Sequence, residues 1–232
     1  SATVSDGNGD LLFYFNGEYV WNRNHQIMPG VNPATGAAKL SGSESATQVL
    51  ALQHPGLPEL YYLFYMNTFD QAVNTQQDTT RRMFYAIVDI TADGGLGDVV
   101  SKNNLLFSKT TEKVISARHC NGIDWWIVTL ESGSNRFLVW SLDQLGLNLT
   151  PKIYSSGKIS PPFDAYKAGN IKISNNANFL LKCSYPLRVF NGPTWDGYAE
   201  LFRFDNATGT ISAPILVIDS VRSIYSAEFS PD

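Results

Sequence analysis

Residues 111–149 read TEKVISARHCNGIDWWIVTLESGSNRFLVWSLDQLGLNL, and this stretch decides the fold. Three apolar runs of about seven residues are each closed by Gly, Asn or Asp, which is the pattern of a small antiparallel sheet. The runs predict a strand, a turn at 119–124, a second strand, a turn at 131–135, a third strand and a last turn near Gln144.

Versions of this unit recur on both sides of it. The first runs from 2–5 through the turn DGNG, a strand over 10–15, the turn Asn16-Gly17 and a strand over 18–22. Asn-Gly between apolar runs predicts a tight hairpin in which both central residues take positive φ. The second unit opens at 48–53, turns through HPGLPE, continues over 60–67 and closes with strands over 83–90 and 99–107. A fourth begins at Ile171, turns at NNAN, runs over 179–185 and resumes at AELFRFDNATGTISAP, and IYSAEFSPD reads as the first strand of a fifth. The units lie at 1–28, 47–107, 111–155, 170–218 and 224–232. Corresponding positions fall about 46 to 66 residues apart, a period of propeller blades and not of a sandwich. The expected fold is therefore all-β: one β-propeller region over 1–232, of about four four-stranded antiparallel blades and the start of a fifth, belonging to a larger ring.

Two positions repeat closely. Before the first turn stand Ser5, His54, His119, Ser174 and Ser230, and before the last turn stand Asp89, Asp143 and Asp205. Side chains in such places hydrogen-bond turn backbone, so these histidines and carboxylates are read as turn residues without chemistry. Asp6, Asn8 and Asp10 imitate the opening of a calcium loop, but Leu11 and Gly17 stand where that motif needs Gly and Glu. No metal is expected there, and no cofactor motif is present. Thr111-Glu112-Lys113 reads as a structural run, either a buried ion pair or a solvated strand start.

Composition narrows the function classes. Aromatic residues make up 12% and charged residues 16% of 232 residues, which suits strands and turns. A net charge of −4 without a basic cluster argues against nucleic acid. No apolar run reaches membrane-spanning length. Cys120 falls in a first turn and Cys183 toward the far end of a second strand, roughly five residues of strand at about 3.3 Å each from one level to the other, so both thiols are expected free.

Sorting the turns by side leaves every short turn on one side and the long segments 29–46, 68–82, 155–169 and 186–197 on the other. Long loops on a rigid scaffold concentrate binding residues. The candidates on them are Phe69, Arg81, Arg82, Phe163, Tyr166, Arg188, Phe190, Trp195 and Tyr198, a set suited to a sugar or to a protein partner.

The stretches LLFYFNGEYVWNRNHQIMPG, TADGGLGDVVSKNNLLF, TTEKVISARHCNGIDWWIVTLESGSNRFLVWSLD, ELFRFDNATGTISAPI and YSAEFSPD resemble the propeller region of large Bacteroidota cell-surface proteins. Those proteins often carry PKD-type modules and a gliding-motility-associated sorting domain for type IX secretion. The resemblance implies a secreted or surface-attached protein and carries over no site residue. It also implies further strands before SATVSDG and after SPD, with the open blade faces covered by the rest of the protein, by another chain or by a tighter ring. The function expected is a non-enzymatic binding or adhesion scaffold for a protein or glycan, the alternative being a polysaccharide lyase or hydrolase on the same scaffold.

Overall fold

The computed structural model describes residues 1–43, 48–67, 81–159, 169–184, 197–221 and 224–230. It is all-β, built as four antiparallel sheets in chain order. The first contains β1 (Ala2–Ser5), β2 (Leu11–Phe15) and β3 (Val20–Asn22), and Trp21 forms one further antiparallel bridge to Ile27. The second contains β4 (Leu50–Gln53), β5 (Leu60–Met66), β6 (Arg82–Asp89) and β7 (Asp98–Ser108). The third contains β8 (Thr110–Arg118), β9 (Trp125–Glu131) and β10 (Arg136–Asp143), with a split last strand, β11 (Gly146–Leu147) and β12 (Lys152–Ser155), both on β10. The fourth contains β13 (Ile171–Ile173), β14 (Phe179–Ser184), β15 (Gly197–Asp205) and β16 (Thr210–Val221). Each sheet is an up-and-down meander, the blade unit of a β-propeller.

The repeat positions do the same work in successive sheets. His54 Nδ1 accepts the N–H groups of Gly56 and Leu57 at 3.0 and 3.1 Å, and His119 Nδ1 accepts that of Asn121 at 3.1 Å. Ser174 Oγ accepts those of Asn178 and Phe179 at 3.2 and 3.0 Å. Asp89 Oδ1 accepts Thr91 N–H and O–H at 2.8 and 2.6 Å, and Asp205 accepts Ala207 N–H and Thr208 O–H, both at 2.9 Å. Because the donors favour the charged form, both carboxyls are held below the usual range: Asp89 chiefly by the Thr91 hydroxyl, Asp205 chiefly by the Ala207 amide.

One hairpin differs from its expected geometry. Gly17 has φ 101, but Asn16 is not left-handed, and its Oδ1 accepts the N–H groups of both Glu18 and Tyr19 at 2.9 Å. The loop is therefore a four-residue Asx turn between Phe15 and Val20, and not the two-residue turn that Asn-Gly predicts. The side chain supplied the acceptor, so the backbone had no need of two positive φ values.

The chain divides into two compact units, the first holding the first two sheets and the second the last two. In the first unit, Phe13, Phe15 and Val20 on the inner face of the first sheet bury against Tyr61, Leu63, Ala86 and Val88. Phe13 meets Tyr61 edge to face at 5.3 Å. Segment 29–43 packs down on this core through Val31 and Leu40 and is tied there by Lys102 Nζ, which donates to the carbonyls of Gly30 and Ala38 at 2.5 Å. In the second unit, Trp126, Val128, Phe137 and Val139 of the third sheet bury against Leu180, Phe202, Phe204 and Ile211 of the fourth. Phe137 meets Phe202 edge to face at 5.1 Å.

Candidate functional site

The strongest candidate is on the outer face of the first sheet. Alternation along LLFYF sends Phe13 and Phe15 into the core and leaves Tyr14 on the opposite face. Register pairs Tyr14 directly with Trp21 on β3, and Tyr19 lies two residues before Trp21 on the same face. The Tyr14 and Trp21 rings stack with centroids 5.2 Å apart and planes 10° from parallel. Tyr19 adjoins Trp21 at 5.9 Å and His25 adjoins Tyr14 at 5.8 Å, so four rings form one continuous strip. Tyr14, Tyr19 and Trp21 are half-buried and His25 is exposed.

Polar groups border the strip. Lys39 Nζ lies 6.0 Å from the centre of the Tyr19 ring and 2.7 Å from Glu18 Oε1. His25 is reached by the turn after β3, in which Asn22 Oδ1 accepts the N–H groups of Asn24 and Gln26 and His25 takes φ 60. A strip of stacked and tilted rings with donors and acceptors at its rim suits a ligand that has apolar patches and hydroxyl edges. The core clusters between the sheets are buried and mix aliphatic with aromatic side chains, Tyr61, Tyr65 and Trp126 among them.

Reading the sequence by its loops missed this strip. The signal was present as parity: within the strongest hairpin of the chain, Tyr14, Tyr19 and Trp21 share the register opposite to Phe13, Phe15 and Val20.

Of the residues singled out on the long segments, Phe69, Phe163, Tyr166, Arg188, Phe190 and Trp195 lie outside the described residues. Arg81 is buried, and Arg82 opens β6 with an exposed side chain while its N–H donates to Asn67 Oδ1 at 2.6 Å. Tyr198 is buried in β15 with Lys158 Nζ 5.4 Å and Lys182 Nζ 5.1 Å from its ring centre. Asp6 Oδ1 accepts the N–H groups of Asn8 and Asp10 at 2.9 Å and so shapes the first turn. Cys120 is exposed and Cys183 is buried, both as free thiols.

A second group of charges lies inside the second unit. Lys182 Nζ stands 2.6 Å from Glu200 Oε2, with side-chain exposures of 0% and 1%. That oxygen meets no donor at a hydrogen-bonding angle, so the contact is ionic in character; Oε1 accepts the Lys158 N–H at 2.8 Å, and Lys182 Nζ donates to the Lys158 carbonyl at 3.2 Å. The pair thus fastens residues 157 and 158 to β14 and β15. Gly157, at φ 76, leaves room for the Glu200 carboxylate, whose oxygens lie 2.8 and 2.9 Å from where a Cβ would be. Lys113 is also buried; desolvation first, and then the Lys182 charge, lower its pKa from 10.5 to about 7, while Glu112 and Cys183 act the other way. The Thr111–Lys113 run is thus interior at Thr111 and Lys113, and not a solvated strand start.

No family model and no curated protein matches this sequence. Among solved structures, the chain is similar to a functionally unknown protein from Desulfotomaculum acetoxidans at 13% identity and a TM-score of 0.41, covering 90% of this chain and 52% of that one. It is similar to a candidate 6-phosphogluconolactonase from Bacteroides uniformis at 10% identity and a TM-score of 0.43, covering 90% and 56%. It is also similar to the propeller of Dos1 at 12% identity and a TM-score of 0.39, covering 99% and 67%. Likenesses this distant transfer no activity. The chain spans about half the length of the first two of these structures. Among the described residues, no helix is long and apolar enough to cross a membrane.

Proposed function

We propose that this chain is a non-enzymatic binding scaffold of the β-propeller type that presents the Tyr19–Trp21–Tyr14–His25 strip to a glycan. The observation that carries the reading is the stacked Tyr14–Trp21 pair, 5.2 Å between centroids and half-buried, on the face opposite the core. Pyranose rings present C–H groups that pack against exposed aromatic carbon, while their hydroxyls reach side chains such as Glu18, Lys39 and His25. The resemblance of the repeat motifs to Bacteroidota surface proteins supports placing the protein outside the cell or on its surface, where glycans are the abundant ligand class.

The test is a glycan array followed by calorimetry on the glycans retained. Trp21→Ala and Tyr14→Ala should each weaken binding by roughly 5- to 150-fold, in line with the ~1–3 kcal/mol that one stacked ring contributes in other stacking sites. Both variants should keep the parent circular dichroism, because neither ring belongs to the buried core. Full binding by Trp21→Ala, with loss on Trp195→Ala or Tyr166→Ala, would move the site to the long segments and overturn the placement.

A further inference from the structure

The aromatic strip on the first sheet has a positive end. Beside the Tyr19 ring, Lys39 Nζ and Glu18 Oε1 pair at 2.7 Å with side chains 42% and 15% exposed, so the pair turns its ammonium to solvent and keeps most of its carboxylate covered. At the His25 end the charges are of both signs: Arg23 donates to the Gly95 carbonyl, and Asp6 and Asp10 stand exposed on the turn before β2. Between the ends, Tyr14 and Trp21 stack with planes 10° apart, so each ring covers a face of the other and the pair offers a ligand chiefly its edges. Ring edges carry the positive part of the aromatic quadrupole, and the indole N–H can only donate.

The place of Lys39 is set by β7 and by the 16–19 turn. Lys102 Nζ donates to the Ala38 carbonyl at 2.5 Å, Asn103 Nδ2–H donates to the Lys39 carbonyl at 3.3 Å, and Asn103 Oδ1 accepts the Ser41 N–H at 2.7 Å. From the other side, the Leu40 N–H donates to the Glu18 carbonyl at 2.9 Å. Gly42 lies so close to the turn that a Cβ there would be 2.2 Å from the Gly17 carbonyl oxygen. Asn103 itself takes φ 56; its N–H donates to the Tyr65 hydroxyl oxygen and its Oδ1 accepts the Tyr65 O–H, both at 2.9 Å. A left-handed residue that is not glycine persists where its surroundings over-determine it, as these do. The backbone on both sides of Lys39 is therefore fixed, and binding through this ammonium orders less chain than binding through a lysine on a free loop.

Resting on the glycan reading above, we propose that the strip takes an acidic glycan, with Lys39 binding a carboxylate or sulfate group of the sugar at the Tyr19 end and neutral hydroxyls facing the His25 end. An ammonium has three N–H donors, so Lys39 can take the anion while it keeps Glu18. Its bond to an anion is stronger than its bond to a hydroxyl, so the charged substituent decides which sugars bind. The net charge of −4 gives such a ligand no attraction at long range, so the preference arises at contact.

The test is an array of matched glycan pairs: oligogalacturonates with free and with methyl-esterified carboxylates, and sulfated oligosaccharides with their desulfated forms. The charged member should bind the parent roughly fivefold or more tightly than its neutral counterpart, the scale of a charge-assisted hydrogen bond at a half-exposed site. Which pair shows the difference separates uronate from sulfate as the source of the charge. Lys39→Met should bring the two members to equal affinity, and Lys39→Arg should keep them apart. Asn103→Ala, outside the strip, should lower the charged-to-neutral ratio and leave neutral binding unchanged; equal loss of both members would overturn its part in presenting Lys39. Equal binding of both members by the parent overturns the acidic assignment and leaves the glycan reading standing. A preference that survives Lys39→Met overturns the role of Lys39, and the absence of any binding that depends on Trp21 overturns both readings.

Discussion

Removing Lys182 alone should be among the costliest single changes in the second unit, and removing it together with Glu200 should cost much less. The two groups are 2.6 Å apart at 0% and 1% exposure. Lys182→Met leaves the Glu200 carboxylate buried, with the Lys158 N–H at 2.8 Å as its remaining donor. Stranding one member of such a pair costs about 3–5 kcal/mol, because the charge keeps its desolvation penalty and loses its compensation. At a urea slope of about 2 kcal/mol per molar, the midpoint falls by roughly 2 M. Lys182→Met with Glu200→Leu removes both charges and leaves chiefly the Lys158 N–H without its acceptor, a loss of about 1–3 kcal/mol. Urea unfolding of the parent, the two singles and the double, followed by tryptophan fluorescence, completes the cycle. A loss below about 1 kcal/mol for Lys182→Met, or a double variant as unstable as the sum of the singles, would refute the reasoning.

Lys113 makes a pH-dependent prediction. Its folded pKa of about 7 lies below the 10.5 it has when exposed, so between those values the unfolded chain binds the extra proton. Its penalty is complete below pH 7 and is relieved as pH rises. From pH 7 to 9, stability should climb with a slope approaching ~1.4 kcal/mol per pH unit from this group, and Lys113→Met should flatten it. Above that range Cys183, pushed up by burial, acts in the opposite direction. In the first unit, Gly30→Ala should destabilise by about 1–3 kcal/mol, read by calorimetry, since its Cβ would sit 2.3 Å from the Val99 carbonyl oxygen. An unchanged melting temperature would mean that segment 29–43 is not held against β7 as described.

The sheets were legible because period-2 alternation and turn chemistry act locally. His54, His119 and Ser174 occupy one repeat position and satisfy one kind of turn, so chemically different side chains could be recognised as equivalents. The split last strand of the third sheet was less legible: Asn148 and Pro151 interrupt pairing that β10 could otherwise continue. The Tyr14–Trp21 strip was hidden because reading for function followed loop length, whereas cross-strand register brings these two residues together from within short strands. The buried charges were hidden for a different reason. Lys182 and Glu200 look like solvated strand residues, and Lys113 reads equally as buried or solvated, until β8, β14 and β15 are placed together, since burial of a charge is a tertiary property.

Hydrogen exchange read by mass spectrometry tests the repeated four-stranded unit most directly. Four separate regions of highest protection are predicted, on β2, β5 with β6, β9 with β10, and β14 with β15, the strands flanked by paired strands on both sides, with faster exchange at the exposed segments 33–36 and 148–151. One protected block running across 22–50 or 143–171, or a β14 that exchanges as fast as those segments, would contradict it.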